Sequence, residues 1–193
     1  MSDAPGSYMF LDPGRSMGFS MCLAGGGSLR HGTWSFRQER HGEVFADYAN
    51  VLRRQLNSLP DPQLALEMLT IVDHNGHIDG NQVAFTAGWY SVAHTICYTM
   101  KLREPEIIPI QTWRSKTHGK TAVPKEMREK LNTQPLRSKW FKQQAKDYCD
   151  KNGWSYGSDD EAEALCGLDA LRIIYEPNYA FGKGKAYRQE AFL

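Results

Sequence analysis

The stretch YMFLDPGRSMGFSM, residues 8–21, decides how the chain begins to fold. Tyr8 to Leu11 is short and continuously apolar, the pattern of a buried strand. Asp12 closes it, Pro13-Gly14 signals a turn, and Met17 opens a second apolar run reaching about residue 24. A carboxylate at the mouth of a central strand is costly to bury without a cation, a hydrogen-bond donor or a metal. Which of these Asp12 has is the question the rest of the chain must answer.

Outward from this hairpin, Gly25-Gly26-Gly27 makes a flexible connection to a third strand over residues 28–36. Val44, Phe45, Tyr48, Val51, Leu52 and Leu56 recur at spacings of three and four, so residues 42–57 read as an amphipathic helix. Pro60 and Pro62 precede a buried fourth strand over 63–68 that carries Glu67 near its end. A polar loop over 72–80, a long apolar helix over 81–101 and a fifth strand over 106–110 follow. Residues 111–135 look irregular and basic, and two helices close the chain at about 136–152 and 159–174. Three hairpin-linked strands followed by alternating strand and helix predict an α/β fold, a mixed sheet flanked by helices. No repeat or long linker divides it, so we expect one domain over 1–174 and a loosely held tail over 175–193.

The length of 193 residues suits one domain with a sizeable core. No apolar run is long enough to span a bilayer, and no signal-peptide pattern is present. Cys22, Cys97, Cys149 and Cys166 form no CxxC pair, which argues against a zinc site. They read as buried, reduced thiols of a cytoplasmic protein. The formal net charge of +1 hides a segregation: residues 111–146 hold ten Lys or Arg against two acids, Glu126 and Glu129. Such a stretch suits a polyanionic partner, although a solvated helical face is the plainer reading. Trp113, Trp140 and Phe141 lie among these cations, placed either to stack on bases or to pack into the core.

Asp12 and Glu67 both end strands. If those strands are parallel neighbours, both acids emerge at the carboxyl edge of the sheet, where open sheets place their sites. In SDDE, residues 158–161, Ser158 fits a helix cap and Glu161 a residue reaching back to it. Asp160 and Glu163 then share one face, the face that also carries Ala164, Leu168 and Leu171 and so points inward. Asp169 lies on the opposite side. A helix dipole offsets at most about 1 kcal/mol of the cost of two inward acids. A pair of hard divalent cations, which prefer oxygen ligands, offsets far more. Each acid alone has an ordinary structural role: Asp12 as a turn former, Glu67 as the partner of a Lys or Arg, Asp160 as a second cap. Three together, each at the end of an element, favour a metal.

These segments resemble the RuvC-type Holliday-junction resolvases of the RNase H-like superfamily, in particular their phage and prophage branch. The resemblance lies in FLDPGRSMGFSM, LALEML, NQVAFTAGWYSVAHTI, IIPIQTWRSKTHGK, SKWFKQQAKDYCDKNGW and DDEAEALCGLDALR, which occur in the family's order across residues 8–172. It implies an RNase H-like fold: a five-stranded mixed sheet with the first three strands antiparallel. It implies a homodimer that acts on branched DNA, four-way junctions above all, with two Mg2+ ions or Mn2+ in their place. It also implies a bacterial protein or a phage protein in a bacterial host. Asp12, Glu67, Asp160 and Glu163 match the family's catalytic, metal-ligating acids. Glu163 stands where the family usually has Asp, and Asp159 is an alternative to Asp160. Lys139 falls near a family lysine that contacts DNA phosphate, with Lys142 as an alternative. Arg114, Lys116 and Lys120 belong to the same basic stretch and are further candidates for DNA contact.

Other readings compete. His74, His77 and Asp79 in DHNGHID tempt a metal assignment, but two loop histidines three apart are usually unremarkable. His118-Gly119-Lys120 is as readily a plain loop as a phosphate contact, and His94 reads as a packed residue of the long helix. A branched-DNA-binding dimer without chemistry would be favoured by the loss of any one acid, and all four are present. An actin-like ATPase or sugar kinase needs a second related domain and a second phosphate loop, which 193 residues do not provide. Cleavage of RNA–DNA hybrid stays open, although nothing in the sequence points to contacts with 2′-hydroxyls.

Overall fold

Residues 8–11 are fully buried, which requires cover on both sides of the first strand. The computed structural model describes residues 4–69 and 80–179. In it β1 (Ser7–Asp12) lies between β2 (Ser16–Leu23) and β4 (Pro62–Glu67), with β3 (Arg30–Ser35) and β5 (Glu106–Ile108) at the edges. β1, β2 and β3 pair antiparallel, whereas β4 runs parallel to both β1 and β5, so the expected five-stranded mixed sheet is what forms. The helices are α1 (His41–Asn57), α2 (Gly80–Thr99), α3 (Ile110–Lys116), α4 (Gln134–Lys151) and α5 (Asp159–Tyr175).

Strand periodicity divides the core into two layers. Met9 and Leu11 of β1 and Leu64 and Leu66 of β4 join Val44, Tyr48, Leu52 and Leu56 of α1 and Trp89 of α2. Tyr8 and Phe10 of β1 and Ala65 of β4 face α4 and α5 through Ala145, Leu165 and Leu168. Successive side chains alternate across a strand, so Asp12 and Glu67 fall on the α5 face. Leu11 is the register partner of Leu66. The next residue on each strand, Asp12 and Glu67, therefore stands at the same edge. The four cysteines are buried free thiols.

Two glycines bring α5 against the sheet. Gly18 is the register partner of Asp12. A Cβ added at Gly18 would lie 2.0 Å from the Asp160 carbonyl oxygen, and one at Gly167 would lie 2.1 Å from the Phe10 ring. Gly18→Ala is therefore expected to push the start of α5 off the sheet, at a cost of about 1–3 kcal/mol. Urea unfolding checks this; an unchanged midpoint would show that the helix start adjusts freely.

Two expectations need correction. Residues 111–135 are not irregular throughout: they contain α3 and a 3-10 turn over Lys125–Met127. The fifth strand stops at Ile108, because Pro109 has no N–H to give the ladder and its carbonyl accepts from Thr112 and Trp113 to start α3. His94 is packed only in part: its side chain is 40% exposed, with Nδ1 3.4 Å from Glu104 Oε1. The 73–79 loop with His74, His77 and Asp79 lies outside the described residues, as do residues 180–193 of the tail. Nearer α5, Glu176 accepts from the Gly25 N–H at 3.1 Å and Tyr179 hydrogen-bonds Asp169. No helix among the described residues is long and apolar enough to cross a membrane.

Candidate metal centre

The start of α5 sorts its acids by direction. Ser158 Oγ accepts from the Glu161 N–H at 3.1 Å, the expected cap. Glu161 accepts from the Gly157 N–H at 2.8 Å, one residue before the cap, and faces His31 Nδ1 at 2.5 Å. It is thereby held on the β3 side. Asp159 turns to Lys146 on α4, whose ammonium holds its carboxyl below the usual carboxylate range. Asp160 and Glu163 point to the sheet edge where Asp12 emerges.

There, one carboxylate oxygen from each of Asp12, Asp160 and Glu163 lies within 4.8 Å of the others. At an effective dielectric of about 20, two unit charges at that separation repel by about 3 kcal/mol. Asp12 is held well above the usual carboxylate range by burial, then by the negative charges of Glu67, Glu163 and Asp160. Glu67 rises to about 7, through burial and then through Glu163. Burial also raises Glu163. Of the four expected acids, the structure brings three into one group. Glu67 stands beside them with Oε2 accepting from Trp113 Nε1 at 2.7 Å.

Two cations answer part of this charge. Lys142 Nζ donates to Asp160 Oδ1 at 3.0 Å and lies 4.0 Å from Glu163 Oε2. Burial works against the charge on Lys142, yet its carboxylate neighbours keep its pKa above the ordinary value. Arg114 Nη2 donates to Glu163 Oε1 at 3.2 Å, and its guanidinium sits 4.0 Å from the Phe141 ring centroid. Ser16 Oγ adds a 2.8 Å bond to Asp160 Oδ2. Four carboxyl groups thus share two cations. An all-oxygen donor set with unanswered negative charge, drawn from β1, β4 and α5, fits a hard divalent cation.

No family model matches the chain, and no curated protein is similar to it in sequence. Among solved structures it is similar to T. thermophilus RuvC in complex with Holliday junction substrate, with a TM-score of 0.53 and 13% identity. The likeness covers 88% of this chain and 93% of that one. The fold is RNase H-like. Its five-stranded mixed sheet, with the first three strands antiparallel and helices at its flanks, is the one the resemblance implied.

On this RNase H-like frame the basic candidates separate. Arg114 is buried on the protein's own Glu163, while Lys142 is about one-third exposed beside Asp160. Lys120 donates to Gln144, and Lys116 and Lys139 are exposed. His118 is pushed down to about 4, by burial first and then by Arg114 and Lys120, so it is neutral at pH 7. Sequence reasoning did not assign Trp113 its role: its ring is core, as one reading held, but its N–H orients Glu67. Ser16 and Gly18 were also missed. Their signal was available, since both share the strand face of Ser20, whose Oγ bonds the Ala164 carbonyl of α5. Trp113→Phe keeps an aromatic ring but removes the donor and, because the indole is fully buried, also opens a cavity. It should cost about 2–4 kcal/mol and raise the Glu67 pKa further. Carboxyl-specific NMR titration checks this, and an unmoved Glu67 would detach it from Trp113.

Proposed function

We propose that this protein is a metal-dependent, structure-selective DNA endonuclease that resolves Holliday junctions or related branched DNA by phosphodiester hydrolysis. The observation that carries the reading is the convergence of Asp12, Asp160 and Glu163 at the carboxyl edge of an RNase H-like sheet. Asp12, Asp160 and Glu163 would hold Mg2+, as a pair of ions or with Mn2+ in its place, and Glu67 would complete the set. Bound there, the metal would supply Lewis acidity, making water a better nucleophile and offsetting charge on the departing 3′ oxygen.

The chain's own groups do the rest. Glu67, raised to about 7, holds its proton more tightly than an ordinary carboxyl, so a cation binding there near neutral pH must displace it. Ser16 and Lys142 fix the two oxygens of Asp160, and Arg114, stacked on Phe141, fixes Glu163. Lys142 is accessible enough to meet a phosphate beside the acids, with Lys116, Lys120 and Lys139 extending the positive surface. Binding through phosphates is strongly salt-dependent and reads backbone shape more than base edges. The product would carry a 5′ phosphate. A homodimer would place two such centres on one four-way junction.

The test is incubation of the purified protein with labelled four-way, three-way, flap and linear DNA and an RNA–DNA hybrid, with and without Mg2+. Mass measurement in solution accompanies it. The expected result is Mg2+-dependent cutting of branched DNA by a species near twice 21.9 kDa. Preferential cutting of the hybrid would replace the substrate, and no cutting of any nucleic acid would end the reading.

A further inference from the structure

A groove of about 810 Å³ opens beside the acidic group, between α3, the segment after residue 120 and the start of α4. Its apolar lining includes Ile110, Val123 and Phe141, and Arg128 and Arg137 line it as well. Arg114 also lines it, and the same guanidinium bonds Glu163. Phe141 precedes Lys142, which bonds Asp160. The groove and the acids therefore share a wall.

We propose that this groove receives an unpaired nucleotide adjoining the scissile phosphate, so that the protein prefers junctions with open nucleotides at the branch. The proposal rests on the nuclease reading for the location of that phosphate. The argument is one of size, lining and charge. The volume lies within the range of small-molecule sites. Phe141, partly exposed to the groove and backed by the Arg114 guanidinium, offers an exposed base a ring to stack on, with aliphatic side chains around it. A paired base is already stacked within its duplex and offers no free face. Arg128 and Arg137 contact only backbone carbonyls, of Val123 at 3.5 Å and Asn132 at 3.1 Å. Neither has a carboxylate partner among the described residues, so both remain available to a phosphate. An apolar peptide would fit the lining but leave these two arginines unanswered.

The test uses wild-type protein in EDTA, so that binding is measured without hydrolysis. Its ligands are two four-way junctions, one fully paired and one with two unpaired nucleotides at the branch, one of them 2-aminopurine. The open junction should bind about tenfold tighter, with a change in 2-aminopurine fluorescence. Ala122→Glu and Ser138→Glu, at exposed positions lining the groove, set a carboxylate against the entering nucleotide and should each erase that preference. Equal affinity for the two junctions overturns the proposal, as does a preference that survives both substitutions. An unchanged 2-aminopurine signal does so too. The nuclease reading fails separately, by absence of cutting in Mg2+, while the binding preference is still measured.

Discussion

Asp12→Asn should lower Mg2+-dependent cutting of branched DNA by about a thousandfold, roughly 4 kcal/mol of transition-state stabilisation. Asparagine keeps the size of the side chain and one oxygen, and it removes the charge. Asp12 is the member of the group that comes from the central strand, and its carboxyl is raised by burial and by three acidic neighbours. Its neutralisation should therefore stabilise the metal-free protein while disabling the reaction. That pairing separates a chemical role from simple damage, since a misfolded variant would lose stability as well as activity. Nicking assays with a thermal melt in EDTA check both. Cutting comparable to wild type would remove Asp12 from the reacting centre. A lower melting temperature would show that the surrounding carboxylates do not repel it.

Much of this arrangement was legible because it rests on periodicity and element ends. The apolar run at Tyr8 to Leu11, the turn at Pro13-Gly14 and the i, i+4 series Val44, Tyr48, Leu52, Leu56 each dictate a local structure. Ser158 dictates where α5 begins and so which of its acids share a face. What escaped depends on distant contacts. A run of cations does not tell which one turns inward, and Arg114 differs from Lys116 because α3 sets it against Glu163 and Phe141. α3 itself has only seven residues, too few for a helical period to declare itself. Glu67 was legible as a strand-end acid, but its bond to Trp113, 46 residues away in sequence, was not. The cap was read correctly and its partner was one residue off, because Glu161 also answers His31 on β3.

In EDTA, the stability of Glu67→Gln relative to wild type should grow with pH, by about 2–3 kcal/mol between pH 5 and pH 8. Glu67 in the folded protein has a pKa of about 7 against an unfolded value of 4.5. Between those values the folded state binds the proton and the unfolded state does not. The stability contributed by that proton is present below pH 4.5 and is lost as pH rises through 7. One pKa unit is about 1.4 kcal/mol, so a shift of this size gives the stated range. Wild type alone would not show this cleanly. His118, held down at about 4 from 6.5, works in the opposite direction, adding stability as pH rises from 4 to 6.5. The comparison cancels His118, because both proteins carry it, and glutamine keeps an oxygen to accept from Trp113 Nε1. For a chain of this length the difference amounts to roughly 4–12 °C in melting temperature. Mg2+ at pH 8 should then stabilise wild type more than the variant, since the cation offsets a charge that only wild type carries. A difference between the two proteins that stays constant from pH 5 to 8 would mean that Glu67 is ionised throughout. The crowding of negative charge at this sheet edge would then be too weak to require a metal.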